Sequence, residues 1–380
     1  MHRATLKDGT KVVVKVRYPD VERQLRGDVR TIKMFCSVAQ PVHVPALEEI
    51  EKQFMTEFDY VQEGEQMETV RQNLEKAGLA GPGKICRVPR AYLEYCTQRV
   101  LVMEELNGDK LAVGLKQEMK VQAEREGKSV DTFYKEIKQQ EREAREKGEE
   151  IMGPSSSEYD LYISLLDQKR KLINLKNRIY NFTLGLVPGV KSKTIVDRSE
   201  IPINHAKMID DLLYIHGHEV LIDGYFNGDP HPGNILLLRE ADGSPALGLI
   251  DYGQIKRLSK HTRITFAKLI IALCEDDRSA ICDLVSQLGF KTKNMDPDVA
   301  YLWAKVSFDQ DNQKILGGKH AQLFMEDLEA KDPVVQLPKD LLMVSRASII
   351  LRGLAHAVHQ NRSVAQAWRP LAERVLREEA

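Results

Sequence analysis

Apolar and polar positions follow two different rhythms along this chain. In the N-terminal part the apolar residues come in short runs. Val12-Val13-Val14-Lys15-Val16 reads as a strand with one lysine embedded in it, and Asp8-Gly9 marks the turn of a hairpin over residues 3–16. Such a lysine either points to solvent from an edge or meets an anion, because burying it alone is costly. From about Ala46 to about Ala77 the spacing becomes helical. Leu47, Ile50, Phe54, Phe58 and Val61 make one stripe, and Met67, Val70 and Leu74 make a second, rotated one. Glu57 and Glu63 lie on these stripes beside packing surface, and Gly64, where the stripe shifts, is the expected place of a bend. A carboxylate so placed calls for a cation, and Lys15 is the obvious one. Lys84–Val88 and Arg99–Met103 read as further strands. The acidic, Gly-containing run Glu104–Asp109 then reads as a junction between two lobes.

Beyond that junction the rhythm is helical almost throughout. Gln117–Glu150 is dense in charge, which predicts one or two exposed helices or a partly disordered stretch, and Met152–Ser157 reads as a linker. Tyr159–Leu186 carries a better apolar stripe of Leu161, Leu165, Leu172, Leu175 and Ile179. The whole of 111–195 looks like an insertion. Residues 203–224 predict a helix ending near His216-Gly217-His218 or at Gly224, with the two histidines as polar residues near its end. Thr262–Cys274, Ala280–Leu288, Val299–Phe308, Leu341–Gln360 and Ser363–Glu379 are helical in period. Leu341–Val358 is apolar enough for a buried central helix.

Composition narrows this little. At 380 residues the chain can bury a large core, and a formal net charge of −1 leaves no nucleic-acid footprint. Cys36, Cys86, Cys96, Cys274 and Cys282 lack metal-type spacing and read as reduced core residues. No apolar run is long enough for a membrane span, and the N-terminus shows no signal or transit pattern.

The chemistry concentrates in Gly228-Asp229-Pro230-His231-Pro232-Gly233-Asn234. After it come the apolar runs Ile235–Leu238 and Leu247–Ile250, and then Asp251-Tyr252-Gly253. With Asp242-Gly243 as a two-residue turn, Asn234 would stand directly opposite Asp251. Two oxygen ligands side by side at a strand end, with a third acid upstream, suit Mg²⁺ and nucleotide phosphates.

These elements occur in the order of a protein-kinase-like fold, and their details resemble the UbiB/ADCK (aarF-domain) family of atypical kinases. The resemblance rests on Ala4–Gly9 with Val13-Val14-Lys15-Val16, on Tyr18-Pro19, and on Glu57-Phe58-Asp59-Tyr60 with Glu63. The Asp-Pro-His-Pro-Gly-Asn hexapeptide and Asp251-Tyr252-Gly253 complete it. It implies an α+β bilobal fold, with a small antiparallel sheet in an N-lobe over 1–105 and a mainly helical C-lobe over 106–380. It also implies roles. Lys15 would contact nucleotide phosphates with Glu63 as its ion-pair partner, and Asp229 would be the catalytic acid. Asn234 and Asp251 would hold Mg²⁺, while Met103 and Glu104 at the junction would meet the nucleotide. Glu57 and Asp59 match the family's Glu-x-Asp motif, whose usual partner is a Lys-x-Gly-Gln helix. That helix and the Ala-rich loop belong upstream of Arg3, so the chain reads as starting inside the N-lobe.

Tyr252 stands where phenylalanine is usual, and the His-Arg-Asp arginine of ordinary kinases is absent. The resemblance further implies ATP or ADP with Mg²⁺ as cofactors, and isoprenoid-quinone (coenzyme Q) or related lipid intermediates and their biosynthetic enzymes as partners. The place would be peripheral to a mitochondrial or plastid membrane. A non-catalytic nucleotide-dependent scaffold is the alternative. A small-molecule kinase of the aminoglycoside or choline type is disfavoured by the Pro-His-Pro-Gly insert and the Glu-x-Asp motif.

Overall fold

The computed structural model describes residues 1–39, 58–147, 149–183, 190–196, 203–240 and 244–379. Strands β1 (His2–Thr5) and β2 (Lys11–Val16) form the predicted hairpin, with Leu6 and Thr10 bonded across the turn and Gly9 at φ 91°. Helix α1 (Val21–Ala39) was not foreseen in the sequence. Helix α2 is shorter than the periodicity predicted. It runs Tyr60–Lys76, because the Asp59 carboxylate caps it by accepting from the Val61 and Gln62 N–H groups. The earlier part of the predicted helix, with Glu57, lies outside the described residues. Gly64 sits within the continuous helix α2, where a Cβ would stand 2.9 Å from Leu93 Cδ2 and 3.3 Å from Leu101 Cδ1.

After α2 come β3 (Cys86–Arg87), β4 (Val100–Glu104) and β5 (Gly108–Lys110). Then follow α3 (Leu111–Arg125), α4 (Val130–Glu146), α5 (Ser156–Thr183) and α6 (His205–Gly217). A π-type turn, His218–Asp223, extends α6 to Gly224 at φ 60°, and β6 (Tyr225–Asn227) leads into the loop. Strands β7 (Ile235–Arg239), β8 (Pro245–Leu249) and β9 (Ile255–Arg257) follow. The remainder is mainly helical, with α7 (Lys260–Glu275), α8 (Arg278–Gln287), α9 (Pro297–Phe308), α10 (Gln313–Leu316), α11 (Ala321–Lys331), α12 (Lys339–Ala357) and α13 (Val364–Glu378), and one short antiparallel pair of Lys291–Thr292 with Val334–Gln336.

Two sheets frame the site. One has the antiparallel order β1-β2-β4, with Lys15 opposite Leu101; the other has the order β3-β8-β7-β5, with β3 parallel to β8. This second sheet crosses the junction at residue 105, since β3 comes from before it. One apolar core runs from Met67 and Leu74 on α2 through Leu212, Phe266 and Tyr252 to Trp368 on α13. Helix α12 is the buried central helix that its composition predicts, with Leu341, Val344, Ala347 and Leu351 inside. The charged stretch is helical as α3 and α4, and α3 belongs to the core: Leu111 is buried, and Gly114 lies against Leu237. The apolar stripe of α5 faces outward: Leu161, Leu165, Leu172 and Leu175 are exposed. No described helix is long and apolar enough to cross a membrane.

Candidate active site

Strand β2 and helix α2 bring the first pair together. Arg17, at the end of β2, donates to the Phe58 carbonyl at 2.9 Å and so pins the strand to the start of α2. Lys15 Nζ then lies 2.7 Å from Glu63 Oε1 and 3.5 Å from Asp251 Oδ2, with the Tyr60 ring 5.1 Å away. Burial alone would depress the Lys15 ammonium, but the charges of Glu63 and Asp251 hold it above its ordinary value. Glu63 is in the first turn of α2, where the helix dipole favours negative charge.

The second half of the site hangs on Asn227. Its side-chain Nδ2 donates to the Asp251 carbonyl at 2.8 Å, while its Oδ1 accepts from the Asp229 N–H at 2.9 Å. One amide therefore ties the Asp229 loop to the Asp251 segment. Gly228 lies where this loop crosses β9: its N–H donates to the Gln254 carbonyl, and a Cβ there would meet Met343 Cε at 2.7 Å. His231 Nδ1 accepts from the Gly233 N–H at 3.1 Å, capping the short turn Pro232–Asn234 that presents Asn234.

The predicted register of the following hairpin is off by one. Ile235 pairs with Leu249 and Arg239 with Pro245, so Asn234 meets Ile250 through a 3.1 Å hydrogen bond instead of facing Asp251. The pairing closes at Glu240 and Ser244, which leaves residues 241–243 between the paired ends in place of a two-residue turn at Asp242-Gly243. Residues 241–243 lie outside the described residues.

Lys15, Glu63, Asp229, Asn234 and Asp251 nonetheless line one cavity of about 410 Å³, together with Arg17, Tyr60 and Gln254. Met103 and Glu104 do not line it. Met103 is buried in the core, and Glu104 accepts from Arg87 and from the Arg90 N–H. Asp59 is the α2 cap.

Sequence reading missed the groups around Asp229. Arg346 on α12 places Nη2 3.1 Å from Asp229 Oδ1 and donates from Nη1 to Gln254 Oε1 at 3.1 Å. Gln254 Nε2 in turn reaches Asp229 Oδ2 at 3.4 Å. Nothing in the local sequence links Arg346 to a loop more than a hundred residues upstream. Behind Asp251, Tyr252 is buried, its hydroxyl has no hydrogen-bond partner among the described residues, and burial pushes the phenol well above its usual value. Glu219 on the π-type turn is fully buried and accepts from the Asn227 N–H at 3.2 Å.

The donor set fits a phosphate-bound divalent ion and does not form a metal cage of its own. Among the described residues no three His, Cys, Asp or Glu side chains gather as a metal site. Asn234 and Asp251 line the same cavity, Asp251 lies 3.5 Å from Lys15, and Mg²⁺ commonly takes its other ligands from phosphate and water.

A family model described as the ABC1 atypical kinase-like domain matches residues 1–141 and 179–285. The chain belongs to this family. Within the charged stretch 111–195 the match leaves out 142–178. The chain is similar to AarF domain-containing protein kinase 1 of Gallus gallus, at 22% identity over 378 residues, covering 96% of this chain and 56% of that protein. AarF domain-containing kinase 1 of Drosophila melanogaster matches at 22% over 382 residues, with the same shares of 96% and 56%. A shorter stretch of 107 residues is 35% identical to a probable serine/threonine-protein kinase of Dictyostelium discoideum, covering 28% of this chain and 16% of that one. The chain thus spans about half the length of the first two relatives. A Mycobacterium tuberculosis protein solved in complex with erythromycin superposes with a TM-score of 0.51 at 16% identity, covering 99% of this chain and 73% of that one. This last likeness bears on the fold alone, and the fold is the bilobal α+β, kinase-like one.

Proposed function

We propose that this ABC1-family chain binds ATP with Mg²⁺ and acts as a phosphotransferase or ATPase. The observation that carries the reading is the position of Lys15, 2.7 Å from Glu63 and 3.5 Å from Asp251, in the cavity that Asp229 and Asn234 also line. Lys15 would meet nucleotide phosphate, with Glu63 holding it in place. Asn234 and Asp251 would hold Mg²⁺, which supplies charge neutralisation on the phosphates. Asp229 would accept the proton of an acceptor hydroxyl or orient water. Arg346 brings to Asp229 a guanidinium that the loop itself lacks. Isoprenoid-quinone or related lipid metabolism, at a mitochondrial or plastid membrane surface, is the setting that the family resemblance suggests.

The test is a thermal-shift titration with Mg-ATP. The native chain should be stabilised and an Asp251→Asn variant should not; equal shifts for both would remove the site assignment. A second reading, a nucleotide-dependent scaffold without turnover, is favoured by the engagement of both Asp229 oxygens with Arg346 and Gln254. ATP turnover measured with and without Asp229→Ala separates the two, since a scaffold shows no difference.

A further inference from the structure

Helix α5 is amphipathic in the wrong direction. Its inner face is polar from Asn174 onward, after the half-buried Ile163 and Leu166. Asn174 exchanges two hydrogen bonds with Val196, at 2.9 and 2.8 Å, and Asn177 donates to the Thr194 carbonyl at 2.8 Å. Asn181 exchanges two more with Lys193, at 2.9 and 2.7 Å. These amides strap residues 190–196 along the helix. Its outer face carries Leu161, Leu165, Leu172, Leu175, Ile179 and Phe182, with Leu172 68% and Phe182 78% exposed. So many large apolar side chains on one outward face mark an interaction surface.

Their spacing identifies the shape of the partner. From Leu161 through Gln168 to Phe182 the seam residues stand alternately four and three apart. That averages 3.5, the repeat of a coiled-coil seam rather than of a broad apolar face. Gln168 interrupts the seam with an amide, a device that fixes register against another helix and only costs energy in a bilayer. The flanks of the seam are basic: Lys169, Lys176 and Arg178 make no ion pair among the described residues, whereas Lys171 pairs with Asp167 at 2.9 Å. A second copy of α5 would set lysine against lysine in either orientation, which disfavours self-pairing.

We infer that α5 is a docking helix for an amphipathic helix of a partner protein whose seam is apolar and whose flanks are acidic. The inference does not depend on the nucleotide chemistry at Lys15 and Asp229.

The experiment measures fluorescence anisotropy of a labelled peptide of the same 28-residue length as α5, added to the full chain. The peptide has leucine or isoleucine at the seam and glutamate on both flanks; a matched peptide carries lysine instead. The acidic peptide should bind and the basic one should not. Leu172→Ser with Leu175→Ser should weaken binding about tenfold or more without changing the circular dichroism of the chain, since both residues are exposed. Lys169→Glu, Lys176→Glu and Arg178→Glu together should reverse the preference between the peptides. Absence of acidic-peptide binding, or equal binding by the triple variant, would overturn the inference. So would flotation of the chain with phosphatidylglycerol vesicles through these same residues, or a concentration-dependent dimer that the leucine substitutions abolish.

Discussion

Arg346 and Asp229, far apart in the sequence, meet at 3.1 Å across the floor of the site, and Gln254 bridges them by bonding to both. The contact joins the loop after β6 to the buried central helix α12. The packing of α12 therefore sets where one oxygen of Asp229 can point.

If that contact positions Asp229, replacing Arg346 with alanine should lower ATP turnover about tenfold or more, the scale on which misplacement of a reacting group acts. The thermal shift caused by Mg-ATP should remain, because Arg346 is not among the residues lining the cavity. Arg346→Lys should restore turnover in part, keeping the charge but losing the two-pronged geometry. Steady-state kinetics of the three proteins decide it, and undiminished turnover in Arg346→Ala would sink the positioning role.

Asn227 gives a second expectation. Asn227→Ala removes the acceptor for the Asp229 N–H and the donor to the Asp251 carbonyl together. An unmade hydrogen bond at a part-buried group costs about 1–3 kcal/mol, so urea denaturation should show a loss of that order. Nucleotide affinity and turnover should fall together, because the substitution frees Asp229 and Asp251 from each other. Asn227→Asp should not rescue, since it cannot donate to a carbonyl.

These two residues also show how far the sequence could be read. Lys15, Glu63, Asp229, Asn234 and Asp251 were legible because each sits in a local pattern: a lysine in a valine run, an acid on an apolar stripe, acids and an amide at loop spacing. The structure brings all of them to one cavity. The hairpin register was not legible, since it turns on how many residues the connection spends. The crowding at Gly64 was not legible either, since Leu93 and Leu101 come from β4 and the segment before it. Arg346 and Gln254 act through tertiary contacts that no local period encodes. The orientation of α5 was not legible for a related reason: a stripe shows that a face is apolar, and not which way it turns.

Lys15 and Glu63 make a third case. Lys15→Ala removes from a nearly buried carboxylate the cation 2.7 Å away and leaves Asp251 beside it. Breaking such a pair costs about 3 kcal/mol, and adding Glu63→Gln should recover much of it by removing the carboxylate's charge. Thermal melts of the single and double variants make the comparison. A double variant no more stable than Lys15→Ala would show that the pair is not coupled.

Glu219 sets a pH dependence that the exposed charges do not. Burial, with the nearby charge of Asp223, raises its carboxyl to about 8 from an ordinary 4.5, although the Asn227 N–H works against the rise. The folded chain thus holds this proton more tightly than the unfolded one, so its stabilisation is complete below about 4.5 and is lost as pH rises through about 8. His216 acts in the opposite sense. Burial lowers it to about 4, against the pull of its bond to the Leu212 carbonyl, and stability falls as pH drops from 6.5 towards that value. Between about 6.5 and about 8, Glu219 is therefore the member of the pair that still titrates. Urea denaturation across that window should show the native chain losing stability with rising pH by about 1–2 kcal/mol. Glu219→Gln should flatten the slope while keeping an oxygen for the Asn227 N–H. A native profile already flat there, or a slope unchanged in Glu219→Gln, would assign the proton elsewhere.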